Sequence, residues 1–196
     1  MRRARPRRSE RGQSFAEFTL ILPVILAMVL GMIELGFAIN NSTAIGTATR
    51  QGARVGSELV NGAKIGSALV DPEIIGAVEG ALISPGSPID PSQVTSIQIF
   101  LANTDGSMSS NVNTWIYSAD GGPTLPGASG PLDFKVSSTN WDVTTRSGAD
   151  PAQSIGVRIT YNYQFITPLR AFVSLFTASQ ITMIDQTVMA MEPPTT

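Results

Sequence analysis

Residues 18–39 read FTLILPVILAMVLGMIELGFAI, a run whose only charged member is Glu34. At about 1.5 Å per residue, these positions cover about 33 Å as an α-helix, enough for a hydrocarbon core of about 30 Å. A removable secretory leader has an apolar run of about 7–15 residues, followed by a small-residue cleavage site. This run is longer, and no A-x-A-like site follows it, so it is expected to be a retained membrane anchor. Pro23 near its start is expected to kink the helix, a defect that spanning helices tolerate when neighbouring helices compensate.

The flanks give the anchor a direction. Arg2, Arg3, Arg5, Arg7, Arg8 and Arg11 supply six of the 13 basic residues, against Glu10 as the one acid among them. From Asn40 onward there are seven Lys/Arg and twelve Asp/Glu. An arginine run can serve as a patch for nucleic acid or lipid headgroups. Placed directly before an apolar span, it reads first as a cytoplasmic flank, with the C-terminus on the other side of the cytoplasmic membrane. The acidic remainder argues against a nucleic-acid-binding domain, whose basic residues would sit on the folded part.

The chain has no cysteine and no histidine. Disulfides, thiolate zinc sites, a thiol nucleophile and the commonest general base are therefore excluded. Residues 126–130, PGASG, lack the nucleophile-elbow spacing, and no P-loop or dinucleotide fingerprint is present. Asp105-Gly106-Ser107-Met108-Ser109 faintly suggests a calcium loop, but the twelfth position, where glutamate belongs, is Ile116. No enzyme activity, cofactor or metal is expected.

Beyond the span, residues 40–60 stay in helical register and are rich in small side chains: Ala44, Gly46, Ala48, Gly52, Ala53 and Gly56. Arg50 and Arg54 are four apart and share a face, which suits a solvated helix just outside the bilayer. Asp71-Pro72-Glu73 is expected to open a second helix, with aspartate as cap and proline at the first helical position. Ile74, Ile75, Val78 and Leu82 form its apolar face, and Ser84-Pro85-Gly86 ends it. Strands are expected over 94–101, 154–165 and 180–191, the second alternating apolar and polar residues throughout. Residues 103–153 read as a loop-rich insertion with two short strands, near 112–117 and 134–138, and with Trp115 and Trp141 in the core. The expected fold class is α+β: a long N-terminal helix followed by a small antiparallel sheet. The division is a basic cytoplasmic leader over 1–12, the transmembrane helix over 13–60, and an extracytoplasmic head over 61–196.

Arg11-Gly12-Gln13-Ser14-Phe15-Ala16-Glu17-Phe18 resembles the N-terminus of a pilin precursor. Such a precursor has a basic leader ending in glycine, then an apolar helix with glutamate as its fifth residue, here Glu17 counted from Gln13. Three elements follow in order: Glu17-Phe18-Thr19-Leu20-Ile21-Leu22-Pro23, Gly31-Met32-Ile33-Glu34-Leu35-Gly36, and Ala48-Thr49-Arg50-Gln51-Gly52-Ala53-Arg54. Over about the first 55 residues the chain resembles the TadE-like family, pseudopilin-type components of the tight-adherence (Flp) pilus machinery of bacteria.

The resemblance implies cleavage by a prepilin peptidase between Gly12 and Gln13. The freed α-amino group, with a reference pKa of about 7.7–8.0, would be largely protonated at neutral pH. In a filament it would meet Glu17 of a neighbouring subunit. Phe18 departs from the tyrosine that commonly follows this glutamate in the major pilins of the system. Glu17, Phe18, Pro23 and Glu34 become candidates for assembly and helix packing, although the first account of Glu34 is snorkelling at the outer interface. Arg50, Gly52, Ala53 and Arg54 form the motif after the span, on a helix that packs against the head or other subunits. Implied partners are other pilin subunits, inner-membrane assembly proteins, the peptidase and the lipid bilayer. The implied function is that of a minor pilin or pseudopilin. The alternative is a membrane-anchored extracytoplasmic binding module that never enters a filament.

Overall fold

The computed structural model describes residues 10–60, 62, 65–149, 151–168, 170 and 180–193. Leader residues 1–9 lie outside the described residues. Helix α1 (Glu10–Leu59) is followed by α2 (Ser67–Leu82). Five strands come next: β1 (Val94–Ala102), β2 (Met108–Tyr117), β3 (Phe134–Thr139), β4 (Ser154–Gln164) and β5 (Gln180–Ala190). Two compact units divide the chain. One comprises Met1–Phe37 and Phe165–Ser179, the other Ala38–Gln164 and Gln180–Thr196.

The second unit holds one antiparallel sheet in the order β3-β2-β1-β4-β5. The α+β expectation therefore holds. Alternation along β4 buries Ile155, Val157, Ile159, Tyr161 and Tyr163 on one face. Register places Ile97 opposite Ile159 and Ile99 opposite Val157, so β1 adds the same kind of residue to that face. On the other face, Gly156 stands opposite Phe100, whose ring occupies the space a side chain at 156 would need. An aromatic ring over a cross-strand glycine restores packing that the glycine alone would forfeit.

The C-terminal part of α1 covers the inner face of the sheet. Its buried positions, among them Ile45, Ala48, Thr49, Gly52, Ala53 and Gly56, recur every three or four residues, as one helical face requires. A Cβ on Gly52 would lie 2.5 Å from Val78 Cγ2 and 3.3 Å from Val157 Cγ1. Hydrogen is what lets this helix approach both α2 and β4. The helix ends where Val60 turns left-handed at φ 47°, its amide still bonded to Gly56 O at 3.2 Å.

Two expectations need correction. Helix α2 starts at Ser67, after Gly66 at φ 91°, so Asp71 and Pro72 lie inside it and Asp71 caps nothing. Its apolar face is as expected, with Ile74, Ile75, Val78 and Leu82 fully buried. The stretch 103–153 departs from the expectation in extent: both expected strands are present, but β2 runs for 10 residues, pairs with β1, and carries β3 on its far side, so they belong to the main sheet. The calcium-like residues close the β1–β2 hairpin. Asp105 Oδ1 accepts from Ser107 N at 2.9 Å and from Ser107 Oγ at 2.6 Å, an Asx turn.

Candidate functional site

Most of the N-terminal part of α1 is exposed, with Glu34 the buried exception. Leu20 is 77% exposed and Met32 72%, and the most apolar window, with mean hydropathy 2.4, is 6% buried. A core helix of a soluble fold can be equally apolar, but it is buried. By length and composition, α1 is the one helix among the described residues able to cross a membrane. Helix α1 continues through Pro23, whose missing N–H leaves Thr19 O without its usual i→i+4 donor. Phe18 projects outward, 56% exposed.

The sequence-predicted residues divide into distinct environments. The Gly12–Gln13 bond lies near the start of α1, where the first amides lack intrahelical acceptors. Glu17 is exposed and accepts from Gln13 Nε2 at 3.0 Å, one turn earlier. Glu34 is 3% exposed, so it does not reach outward freely. Its two carboxylate oxygens accept backbone N–H groups from Ile166 at 3.0 Å and Thr167 at 2.9 Å. Sequence reading missed both donors because main-chain amides have no side-chain signature.

The motif after the span splits between two faces. Gly52 and Ala53 are buried, while Arg50 and Arg54 face solvent. Arg54 Nε pairs with Glu58 Oε1 at 3.0 Å on the same helix, an exposed pair of small energetic consequence. The small residues of the motif therefore serve packing within the chain.

A second cluster, unforeseen in the sequence, floors a cleft of about 530 Å³ lined by Asp71, Asn113, Trp115 and Trp141, among others. Asp71 Oδ1 lies 2.7 Å from Arg146 Nη1, and Asp71 Oδ2 accepts from Asn113 Nδ2 at 2.6 Å. Asn113 also bonds the Trp141 backbone twice, Nδ2 to O and N to Oδ1, both at 2.8 Å. The Arg146 guanidinium stacks 4.3 Å from the Trp141 ring centroid. Trp115 and Trp141 are 4% and 3% exposed, core residues as expected. The carboxylate and amide of this cluster are consumed by internal contacts, so its chemistry is structural. Among the described residues no group of three or more His, Cys, Asp or Glu could hold a metal ion.

A largely exposed apolar helix, continuous with a segment that packs on an antiparallel sheet, defines an α+β protein with one potential membrane anchor among the described residues. Residues 12–54 match the family model described as TadE-like protein. The match covers the N-terminal segment alone, from Gly12 to Arg54, and that segment is similar to TadE-like proteins. No curated protein and no solved structure matches the chain.

Proposed function

We propose that the chain is a minor pilin or pseudopilin of a tight-adherence pilus or a related secretion apparatus. It inserts in the cytoplasmic membrane with its N-terminus inside, is cut between Gly12 and Gln13, and packs against neighbouring subunits through the apolar part of α1. The observation that carries this reading is the largely exposed apolar helix with exposed Glu17 at its N-terminal end. Once the leader is removed, Gln13 becomes the first residue. The new ammonium of one subunit then competes with the Gln13 amide for Glu17 of the next, and a charged donor makes the stronger hydrogen bond.

Intact mass and N-terminal sequencing of the protein from membranes, with pilus counts for Glu17→Ala, test the proposal. A chain starting at Gln13, and a Glu17→Ala variant that inserts but assembles no pili, are the expected results. A chain still starting at Met1, with pili unaffected by Glu17→Ala, favours the anchored binding module instead.

A further inference from the structure

We infer that the start of the β4–β5 connection, held on Glu34 through the amides of Ile166 and Thr167, is a second lipid contact, seated in the outer interfacial layer of a phospholipid bilayer. The inference rests on the reading of residues 18–39 as a span. Glu34 lies five residues before the end of that run, about 7.5 Å inward along the helix axis. Hydrogen bonds of 3.0 and 2.9 Å fix the backbone at 166–167 against α1 at that level. A segment bonded there enters the interfacial layer with the helix.

The side chains suit that place. Ile166 is 63% exposed, whereas Thr167 is 9% exposed. The connection opens Phe165-Ile166-Thr167-Pro168, and Arg170 is the one charged residue between 165 and 170. Water-exposed connections of this chain are composed differently: 118–133, SADGGPTLPGASGPLD, is dominated by Gly, Pro, Ser and Asp. An arginine beside apolar side chains fits the headgroup layer, where its stem lies on acyl chains and its guanidinium reaches phosphate. The same contact explains an acid inside an apolar run. Two main-chain donors satisfy Glu34 where a bare carboxylate would be costly.

The chain lacks cysteine, which makes a fluorescent depth measurement direct. Ile166→Cys, Val29→Cys and Lys135→Cys, each in the full chain and carrying an NBD label, are placed in phospholipid nanodiscs with spin-labelled lipids. The expected result is blue-shifted emission at 166, quenched most by a spin label near the headgroup. Position 29 should be quenched by a mid-chain label, and 135 by aqueous iodide. Glu34→Ala, and the milder Glu34→Gln, should shift emission at 166 toward that at 135, with far-UV circular dichroism unchanged. Iodide quenching at 166 with lipid quenching retained at 29 overturns the inference and leaves the span standing. Lipid quenching at 166 that survives both Glu34 variants overturns the role of the carboxylate. Iodide quenching at 29 overturns the span and this inference together.

Discussion

Thr49 Oγ1 donates to Asp185 Oδ2 across 2.6 Å and lies 3.0 Å from Thr187 Oγ1, fastening α1 to the edge strand β5. Beyond this tie, β5 is paired along one side with β4 and exposes Ile181 and Ile184. A hydrogen bond to an ionised group contributes about 1.5–3 kcal/mol. Thr49→Val, which keeps the shape and removes the donor, is expected to destabilise the protein by about that amount, read by urea unfolding. Amide exchange should accelerate first in β5. Thr47→Val is the control: its hydroxyl bonds Thr43 O on the exposed side of the same helix, so a change within about 0.5 kcal/mol is expected.

Gly52 and Gly56 should respond differently to alanine. The atom that a Cβ on Gly52 would strike is Val78 Cγ2, on a β-branched side chain held in one rotamer by its helix. At Gly56 the nearest atom is Ile155 Cδ1, 2.7 Å away at the free end of a flexible chain. Overpacking costs about 1–3 kcal/mol, while alanine gains about 0.8–1 kcal/mol in helix propensity. Gly52→Ala is therefore expected to lower the urea midpoint and Gly56→Ala to leave it nearly unchanged. Gly31→Ala and Gly36→Ala meet nothing within 4 Å in the chain, so any defect they cause should appear in assembly and not in folding.

The pH dependence of stability should carry the mark of Glu79. Burial pushes its carboxyl above the ordinary 4.5, the hydrogen bond from Asp133 N opposes this, and the charges of Asp133 and Asp120 add to the rise. An acid with a raised pKa holds its proton more tightly when folded. Its contribution is complete below the unfolded value and is lost as pH climbs through the folded one. Asp105 and Asp142 act oppositely. Hydrogen bonds from Ser107 and Thr144 hold their carboxyls below 3.8, so their contribution disappears as pH falls. Glu79→Gln keeps an acceptor for Asp133 N without the charge. The urea midpoint of this variant relative to the parent should rise as the pH climbs above the ordinary 4.5, isolating Glu79 from the two aspartates. A difference flat across that range would contradict the assignment.

The legible parts of the molecule were those whose signal is local. An apolar run of this length forces a helix, and the alternation from Ile155 to Tyr163 forces a strand with one buried face. Of strand β2, the half from Val112 to Tyr117 was legible, while its first half, with Ser109, Ser110 and Asn111, has little intrinsic strand preference. That first half is a strand because β1 pairs with it, and a single sequence does not display that pairing. Asp71-Pro72-Glu73 carries every mark of a helix start, yet Gly66 starts the helix and Asp71 is drawn to Arg146. The family motif could be read, but which of its residues face inward is decided by the sheet. The partners of Glu34, two amides more than 130 positions away, left no trace in composition or spacing.

Arg146 is the largest fully buried side chain among the described residues, and its charge is met by Asp71 and the Trp141 ring. The contact with Asp71 is short, yet its angle is not that of a hydrogen bond, and none of the guanidinium nitrogens finds an acceptor among the described residues. Removing one member of a buried ion pair costs about 3–5 kcal/mol, because the other charge is stranded. Arg146→Met is expected to cost that much, read by urea unfolding through tryptophan fluorescence. Arg146→Lys should fall between Arg146→Met and the parent, since a lysine keeps the charge but loses the planar stack on Trp141. Because the pair is imperfectly hydrogen-bonded, replacing both partners should be far milder than replacing one. Asp71→Leu with Arg146→Met is expected to return to within about 1 kcal/mol of the parent. A double variant as unstable as Arg146→Met alone would instead show that the bonds of Asp71 to Asn113, and through it to the Trp141 backbone, hold this part of the sheet together.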